Sequence, residues 1–422
     1  MGCRVRDAQR RSPSALTPID EALASLLACL PRLRDQEEID LRHARGRVLA
    51  EDIVAPLSVP PFANSAMDGY ALRAEDTKDP SRSIPVSQRL VAGSVGCSLA
   101  AGTAARIFTG APLPEGADAV AMQENCAERD GAVIVTRSVE VGENVRPAGA
   151  DIEAGSTLFS EGRRLRPQDV GALASLGMTR VRVIRRPVVA LLTTGDELQR
   201  PGFALGPGQI YDSNFSTLVS LLDALGAEVA DRGRVPDTLD ATREALALAA
   251  EDADCVITTG GVSVGEEDHV RSAVEQLGRI DLWRLAVKPG KPFAFGTIRK
   301  SAAGEACQFF GLPGNPVSAF VTFSLIVRPC LLALQGVDAA APTSFPVRSG
   351  FSRGPGGPRQ EYLRAVLERV EGELFAIPLA NQSSGVAASL SRSEGLVVVP
   401  PQVRVDEGQT LEFIPFSELG AA

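Results

Sequence analysis

The sequence predicts a multidomain α/β plus β protein: a central α/β domain with a mostly parallel sheet covered by helices, flanked by small β domains. Three observations carry this. The chain has 422 residues, more than one hydrophobic core organises, so two to four domains are expected. From residue 187 a buried strand, a turn and an amphipathic helix alternate repeatedly, the pattern of a parallel sheet under helices. On both sides of that region, short β-branched runs alternate with Gly/Pro turns.

In chain order, apolar spacing over residues 18–30 predicts a first helix, with Thr17 available as N-cap and Pro18 at the first helical position. Residues 84–152 read as a β domain, with runs such as Ala132-Val-Ile-Val-Thr136 and turns such as Thr109-Gly-Ala-Pro-Leu-Pro-Glu-Gly116. In the α/β region the expected strands are 188–193, 227–232, 255–259, 282–287 and 308–311. The helices between them are expected near 215–225, 239–250, 268–277 and 317–327. After Gln335 the short strands return, up to Phe416. Low complexity is confined to residues 353–358, which read as a loop.

Composition narrows the function. Net charge is −9, which argues against a surface that tracks nucleic-acid phosphates or anionic lipid, so any anion must meet a local basic cluster. Seven scattered cysteines with no C-x-x-C pair suit reduced thiols in the cytoplasm. Aromatics make up 5%, so burial is expected to rest on Ala, Val and Leu. No apolar run is expected to span a bilayer, because Thr322, Ser324 and Arg328 interrupt the best candidate, 319–334. With only two histidines, His43 and His269, metal chemistry must use carboxylates and hence a hard ion such as Mg²⁺.

Ligands of open α/β sheets bind beyond the carboxyl ends of the strands. The first strand leads into Thr194-Gly-Asp-Glu197, and the strand at 255–259 into Gly260-Gly-Val-Ser-Val-Gly-Glu-Glu-Asp268. Another strand leads into Lys288-Pro-Gly-Lys-Pro292, two ammonium groups on a stiff turn that suit an oxyanion. The strand at 308–311 runs into Gly311-Leu-Pro-Gly-Asn-Pro-Val-Ser318, where Asn315 reads as an N-cap and free N–H groups would face an anion. Each alone has an ordinary reading as a turn, a cap or a solvated charge. Together they describe a site for a polyanion and its divalent metal.

These strings, with Asn64-Ser-Ala-Met-Asp-Gly-Tyr70, Thr109-Gly-Ala-Pro112, Thr194-Gly-Asp-Glu-Leu198 and Ser263-Val-Gly-Glu-Glu-Asp268, resemble the molybdopterin molybdenumtransferases of the MoeA type, a family that includes the gephyrin E domain. The likeness runs from about Pro18 to Phe416. It implies a homodimer whose subunit has four domains: 14–55 with 154–185, 56–153, 186–335, and 336–418. The implied activity inserts molybdenum from molybdate into adenylylated molybdopterin and releases AMP, with Mg²⁺. The implied catalytic positions are Asp68, Thr109, Asp151, Glu197, Asp237 and Asp268, of which Glu197, Asp237 and Asp268 are the metal candidates. The implied molybdate contacts are Lys288, Lys291, Pro292, Ser318, Arg364 and Ser384. Arg284 stands where many relatives carry Lys, so a fork replaces a point charge. His269 stands where relatives often carry Tyr, and no role is assigned to it. Two other readings are an adenylyltransferase, which would resemble the α/β domain alone, and a non-catalytic scaffold. Neither nucleic acid nor membrane is an expected partner.

Overall fold

The computed structural model describes residues 16–261, 269–302, 304–338 and 341–420, with Leu282 and Trp283 described by backbone alone. Its contacts divide into a larger unit, residues 1–37, 46–48 and 183–422, and a smaller one, residues 38–45 and 49–182.

The larger unit is built on a six-stranded sheet. Its strands are β1 (Val188–Thr194), β2 (Glu228–Val235), β3 (Cys255–Thr259), β4 (Gly278–Arg284), β5 (Pro292–Arg299) and β6 (Ala306–Leu312). They lie in the order β2-β1-β3-β6-β5-β4. The pairs β1/β2, β1/β3 and β3/β6 are parallel, whereas β5/β6 and β4/β5 are antiparallel.

Alternate residues feed two cores, as the period of a strand requires. Val189, Leu191, Cys255, Ile257, Phe310 and Leu312 pack on one face with α1 (Ser213–Ala224) and the helical run Pro316–Leu334. Ala190, Leu192, Val256, Ala294 and Phe309 pack on the other with α2 (Leu239–Asp252) and α3 (His269–Leu277). As expected, Ala, Val and Leu make up most of the buried apolar residues, and the few rings, Phe293, Phe309, Phe310 and Phe323 among them, lie in the two cores of this sheet.

Three sequence expectations change in this unit. Thr17 does not cap the first helix, which runs Ile19–Leu27 behind Pro18, because its own backbone pairs with Arg284 and Ala286. The strand expected at 282–287 lies earlier, at β4, and β5 was not anticipated at all. The polar residues expected to break the apolar stretch near 319–334 do not: Pro316–Leu334 is 19 residues long and apolar enough to cross a membrane, yet 89% of its most apolar window is buried in the protein. It is a core helix that contains a π turn at Phe323–Val327.

The C-terminal strands of this unit close on themselves. Gln360–Val370, Glu373–Pro378, Phe345–Ser349, Thr410–Pro415 and Gly395–Val399 pair in that order, and the last pairs back to the first. The short segment Val287–Lys288 joins this barrel in parallel with Gln360 and Glu361. Residues 353–358 are tied to it, since Arg353 bridges Val405 and pairs with Glu361.

The smaller unit carries its own six-stranded sheet, in the order Ala119–Met122, Gly69–Leu72, Ala104–Ile107, Ser83–Leu90, Ala132–Val135 and Cys126–Arg129. Its core is small-residue and aliphatic, including Leu72, Ile84, Val133 and Val135.

Candidate active site

In the larger unit the carboxyl ends of β1, β3 and β6 open into a cavity of about 610 Å³. It sits where β1 sends the chain one way to β2 and the sheet continues the other way to β3, the usual place for a ligand in such sheets. Thr194, Glu197 and Leu198 line it after β1, Gly260 and Gly261 after β3, and Pro313, Gly314, Asn315 and Pro316 after β6. Pro292, at the start of β5, completes that wall, and Gly385 and Ala387 reach it from the C-terminal barrel.

Local hydrogen bonds explain this arrangement. Ile210 N–H donates to the Glu197 carbonyl at 2.8 Å, and Leu198–Gln199 pairs in parallel with Ile210–Tyr211. Asp212 then caps α1, accepting from Phe215 N–H at 3.0 Å, and Asn214 Nδ2 donates to the Gly314 carbonyl at 2.7 Å. Asp212, Ser213 and Asn214 line the cavity, although the sequence reading passed over them. An Asx residue directly before an apolar helical run was the available signal.

Asn315 occupies the N-cap position with Pro316 behind it, but its side chain makes no capping bond. The Val317 N–H, one of those expected to face an anion, donates instead to the Ser384 carbonyl at 3.0 Å. That bond brings the 381–387 loop of the barrel to the cavity rim.

Two cations, Lys288 and Lys291, lie on the turn 288–292 that ends at Pro292. Lys288 Nζ lies 3.2 Å from Glu361 Oε2, and Arg353 holds the other oxygen at 2.8 Å. Burial alone would raise the Glu361 pKa, but the Arg353 and Lys288 hydrogen bonds outweigh it and hold the carboxyl below its ordinary range. Lys291 is exposed and, among the described residues, has no acidic partner. Gly290 fixes the turn: its φ is +114°, and a Cβ there would lie 2.6 Å from Thr322 Oγ1. Only glycine allows both the conformation and the approach.

Arg364, expected as a molybdate contact, has a fully buried side chain. Nε donates to Ser389 Oγ at 3.1 Å, and Nη2 to the carbonyls of Asn381 at 3.2 Å and Ser383 at 3.1 Å. Nη1 has no partner. The residue sits mid-strand in the closed barrel, where the loop it binds covers it. It therefore holds the segment leading to Ser384, and burial lowers its pKa.

The other sequence-predicted positions divide as follows. Ser318 is buried in the first turn of the helical run, while Asp237 is exposed in the loop after β2. In the smaller unit, Asp68 accepts from Thr109 N–H at 2.8 Å and Thr109 Oγ1 at 2.7 Å. The backbone bond, then the hydroxyl, lowers the Asp68 pKa. Asp151 is exposed, its N–H bound to the Val59 carbonyl at 2.9 Å. Asp268 lies outside the described residues. The structure thus gathers Glu197, Pro292 and the 381–387 loop around one cavity, with Lys288 and Lys291 on the adjoining turn.

Comparison with known proteins agrees along the chain. Residues 17–177 match the MoeA N-terminal region, domains I and II; residues 190–333 match the probable molybdopterin binding domain; and residues 346–416 match the MoeA C-terminal region, domain IV. A molybdopterin molybdenumtransferase of Haemophilus influenzae is 37% identical over 406 residues, covering 95% of this chain and 99% of that protein. One from Bacillus subtilis is 33% identical over 429 residues, covering 97% and 96%. The crystal structure of the molybdopterin biosynthesis MoeA protein from Pyrococcus horikoshii superposes with a TM-score of 0.79 at 30% identity, covering 95% of this chain and all of that one. With relatives matched from end to end and the strand-end cavity in place, the chain belongs to the molybdopterin molybdenumtransferase family.

Proposed function

We propose that this protein inserts molybdenum from molybdate into adenylylated molybdopterin, releasing AMP, in the final step of molybdenum cofactor biosynthesis. The observation that carries the reading is the convergence of three strand ends, a barrel loop and Pro292, the last residue of the cationic turn, on one cavity. In the proposed reaction two dithiolene sulfurs replace oxygen ligands of molybdate, which leave as water, and the phosphoanhydride is hydrolysed.

Molybdate is a dianion, and so needs cationic and hydroxyl donors before it can approach a phosphorylated partner. Lys291 offers a free ammonium, and Lys288 offers one that Glu361 keeps in place. Ser318, Ser384 and the backbone around Pro292 complete the contacts in this reading. Arg364 acts on them through the loop it holds. Asp68, with Thr109, and Asp151 are the further acids of the reaction.

Glu197, Asp237 and Asp268 form an all-oxygen donor set, the chemistry Mg²⁺ prefers. Glu197 and Asp237 follow β1 and β2, which are in register at Thr194 and Val235. Among the described residues, however, no three acidic, His or Cys groups converge as a metal site.

The full reading is a cytoplasmic homodimer of four-domain subunits, divided at the boundaries given above. Light scattering should show twice the 44.3 kDa chain mass; a single-chain mass rejects the dimer. An adenylyltransferase would not account for the matched flanking regions at 17–177 and 346–416. The direct test supplies purified protein with adenylylated molybdopterin and follows AMP. Molybdate-dependent release is expected. Absence of release under all conditions would favour a scaffold.

A further inference from the structure

The smaller unit holds a groove that the reaction above does not use. Strand Ser83–Leu90 runs parallel to Ala104–Ile107, and their register sets Arg89 directly against Arg106. In-register residues of a parallel pair share a face of the sheet, so both arginine side chains start from the same side of it. Like charges so placed destabilise a sheet unless something neutralises them. Among the described residues neither arginine has an ion pair.

Both are nonetheless held in place. Their guanidinium carbons lie 5.0 and 4.7 Å from the centroid of Phe108, and that of Arg106 is also 5.1 Å from Tyr70. Arg106 donates to the Gly69 carbonyl at 3.0 Å and to Gln123 Oε1 at 2.7 Å. The open groove they line measures about 640 Å³ and also meets Val86, Gln88 and Glu128. Glu128 is its one lining carboxylate, and Tyr70 OH already donates to it at 2.5 Å. Asp68 senses the Arg106 charge, but its hydrogen bonds go to Thr109. Gln88 is committed to the Cys97 backbone. Two guanidinium charges thus face one lining carboxylate, which leaves the groove with an excess of positive charge in a chain whose net charge is −9.

We propose that this groove binds a phosphate-bearing small molecule, with Arg89 and Arg106 sharing its phosphate oxygens. Guanidinium forks match phosphate geometry, and the volume exceeds what inorganic phosphate alone would fill. This inference does not depend on the reaction assigned to the α/β cavity.

The test uses the full chain, inorganic pyrophosphate as probe and a local readout. Arg89 is exposed, so phenylglyoxal should modify it, and peptide mass spectrometry can follow the rate at that residue. Pyrophosphate should slow the modification about tenfold or more, while sodium chloride at equal ionic strength should not. Arg89→Gln should weaken calorimetric pyrophosphate binding about tenfold, the loss of one charge-assisted contact. It should leave AMP release unchanged and, by removing the repulsion, should not lower the melting temperature. Equal modification rates with and without pyrophosphate, equal protection by chloride, or unchanged affinity in Arg89→Gln would each overturn the proposal.

Discussion

Replacing Arg364 with methionine keeps most of the side-chain volume and removes the charge and all its donors. Three hydrogen bonds disappear, those to Ser389 Oγ and to the carbonyls of Asn381 and Ser383. Bonds from a charged donor contribute about 1.5–3 kcal/mol each. Against that, the variant no longer buries a guanidinium with Nη1 unpartnered, a burial that costs several kcal/mol. Asn381 and Ser383 are exposed residues, so their freed carbonyls can turn to water. The net expectation is a loss of about 2 kcal/mol, or about 4–8 °C in the melting of a domain-sized unit. The freed loop should let Ser384 drift and weaken molybdate binding about tenfold. Arg364→Lys should recover only part of both, because a point charge cannot serve three directed acceptors. Thermal unfolding and molybdate calorimetry on the three proteins decide the matter. If Arg364→Met melts with the parent while its molybdate affinity collapses, Arg364 meets the anion itself and the loop-holding role is wrong.

Gly290→Ala should cost about 1–3 kcal/mol, from the positive φ and the approach to Thr322, and should raise the molybdate KM by displacing Lys291; an unchanged KM would detach the turn from anion binding. Carboxyl NMR should find Asp68 titrating below the ordinary value of about 3.9, and Thr109→Val should move it upward. Because the folded pKa is lowered, the stability that Thr109 adds is present above the unfolded value and is lost as pH falls through the folded one. Parent and Thr109→Val should therefore converge in acid, and divergence there would contradict the assignment. Asp254 accepts two bonds from Arg185 and one from Val188 N–H at the opposite end of the sheet from the cavity. Asp254→Asn should lower stability by about 2 kcal/mol, since the pair is only partly buried, and leave kcat unchanged; a lowered kcat in a folded variant would show coupling that the geometry lacks.

What the sequence disclosed follows from how local each signal was. Strand β3 matches its expected bounds, and β1 is one residue longer than expected, because both are continuous apolar runs buried on two faces. Strand β5 was hidden by Pro292 at its start and Gly296 at its centre, residues that ordinarily argue against a strand. Gly296 is there because a Cβ would collide with the Arg279 carbonyl across the β4 pairing. The apolar run 285–287 looked like the end of a strand, yet its partners are Thr17 and Gln360, far away in sequence.

The site divides along the same line. Glu197 and the turn 288–292 could be found because they directly follow strands. Their surroundings could not. Nothing local distinguishes Arg364, inside Gln360–Val370, from an open arginine of the same strand; the covering loop comes from residues 381–389. The Ser384–Val317 bond joins segments that only the fold brings together.

The most direct test of the central claim measures where the metal goes. Purified protein would be incubated with adenylylated molybdopterin and molybdate, and the pterin released from it analysed for molybdenum and offered to a cofactor-free molybdenum enzyme. The account predicts one molybdenum retained per AMP released and restored activity in the acceptor. AMP release with no molybdenum on the pterin would make this chain a hydrolase of the adenylylated substrate and would contradict the account.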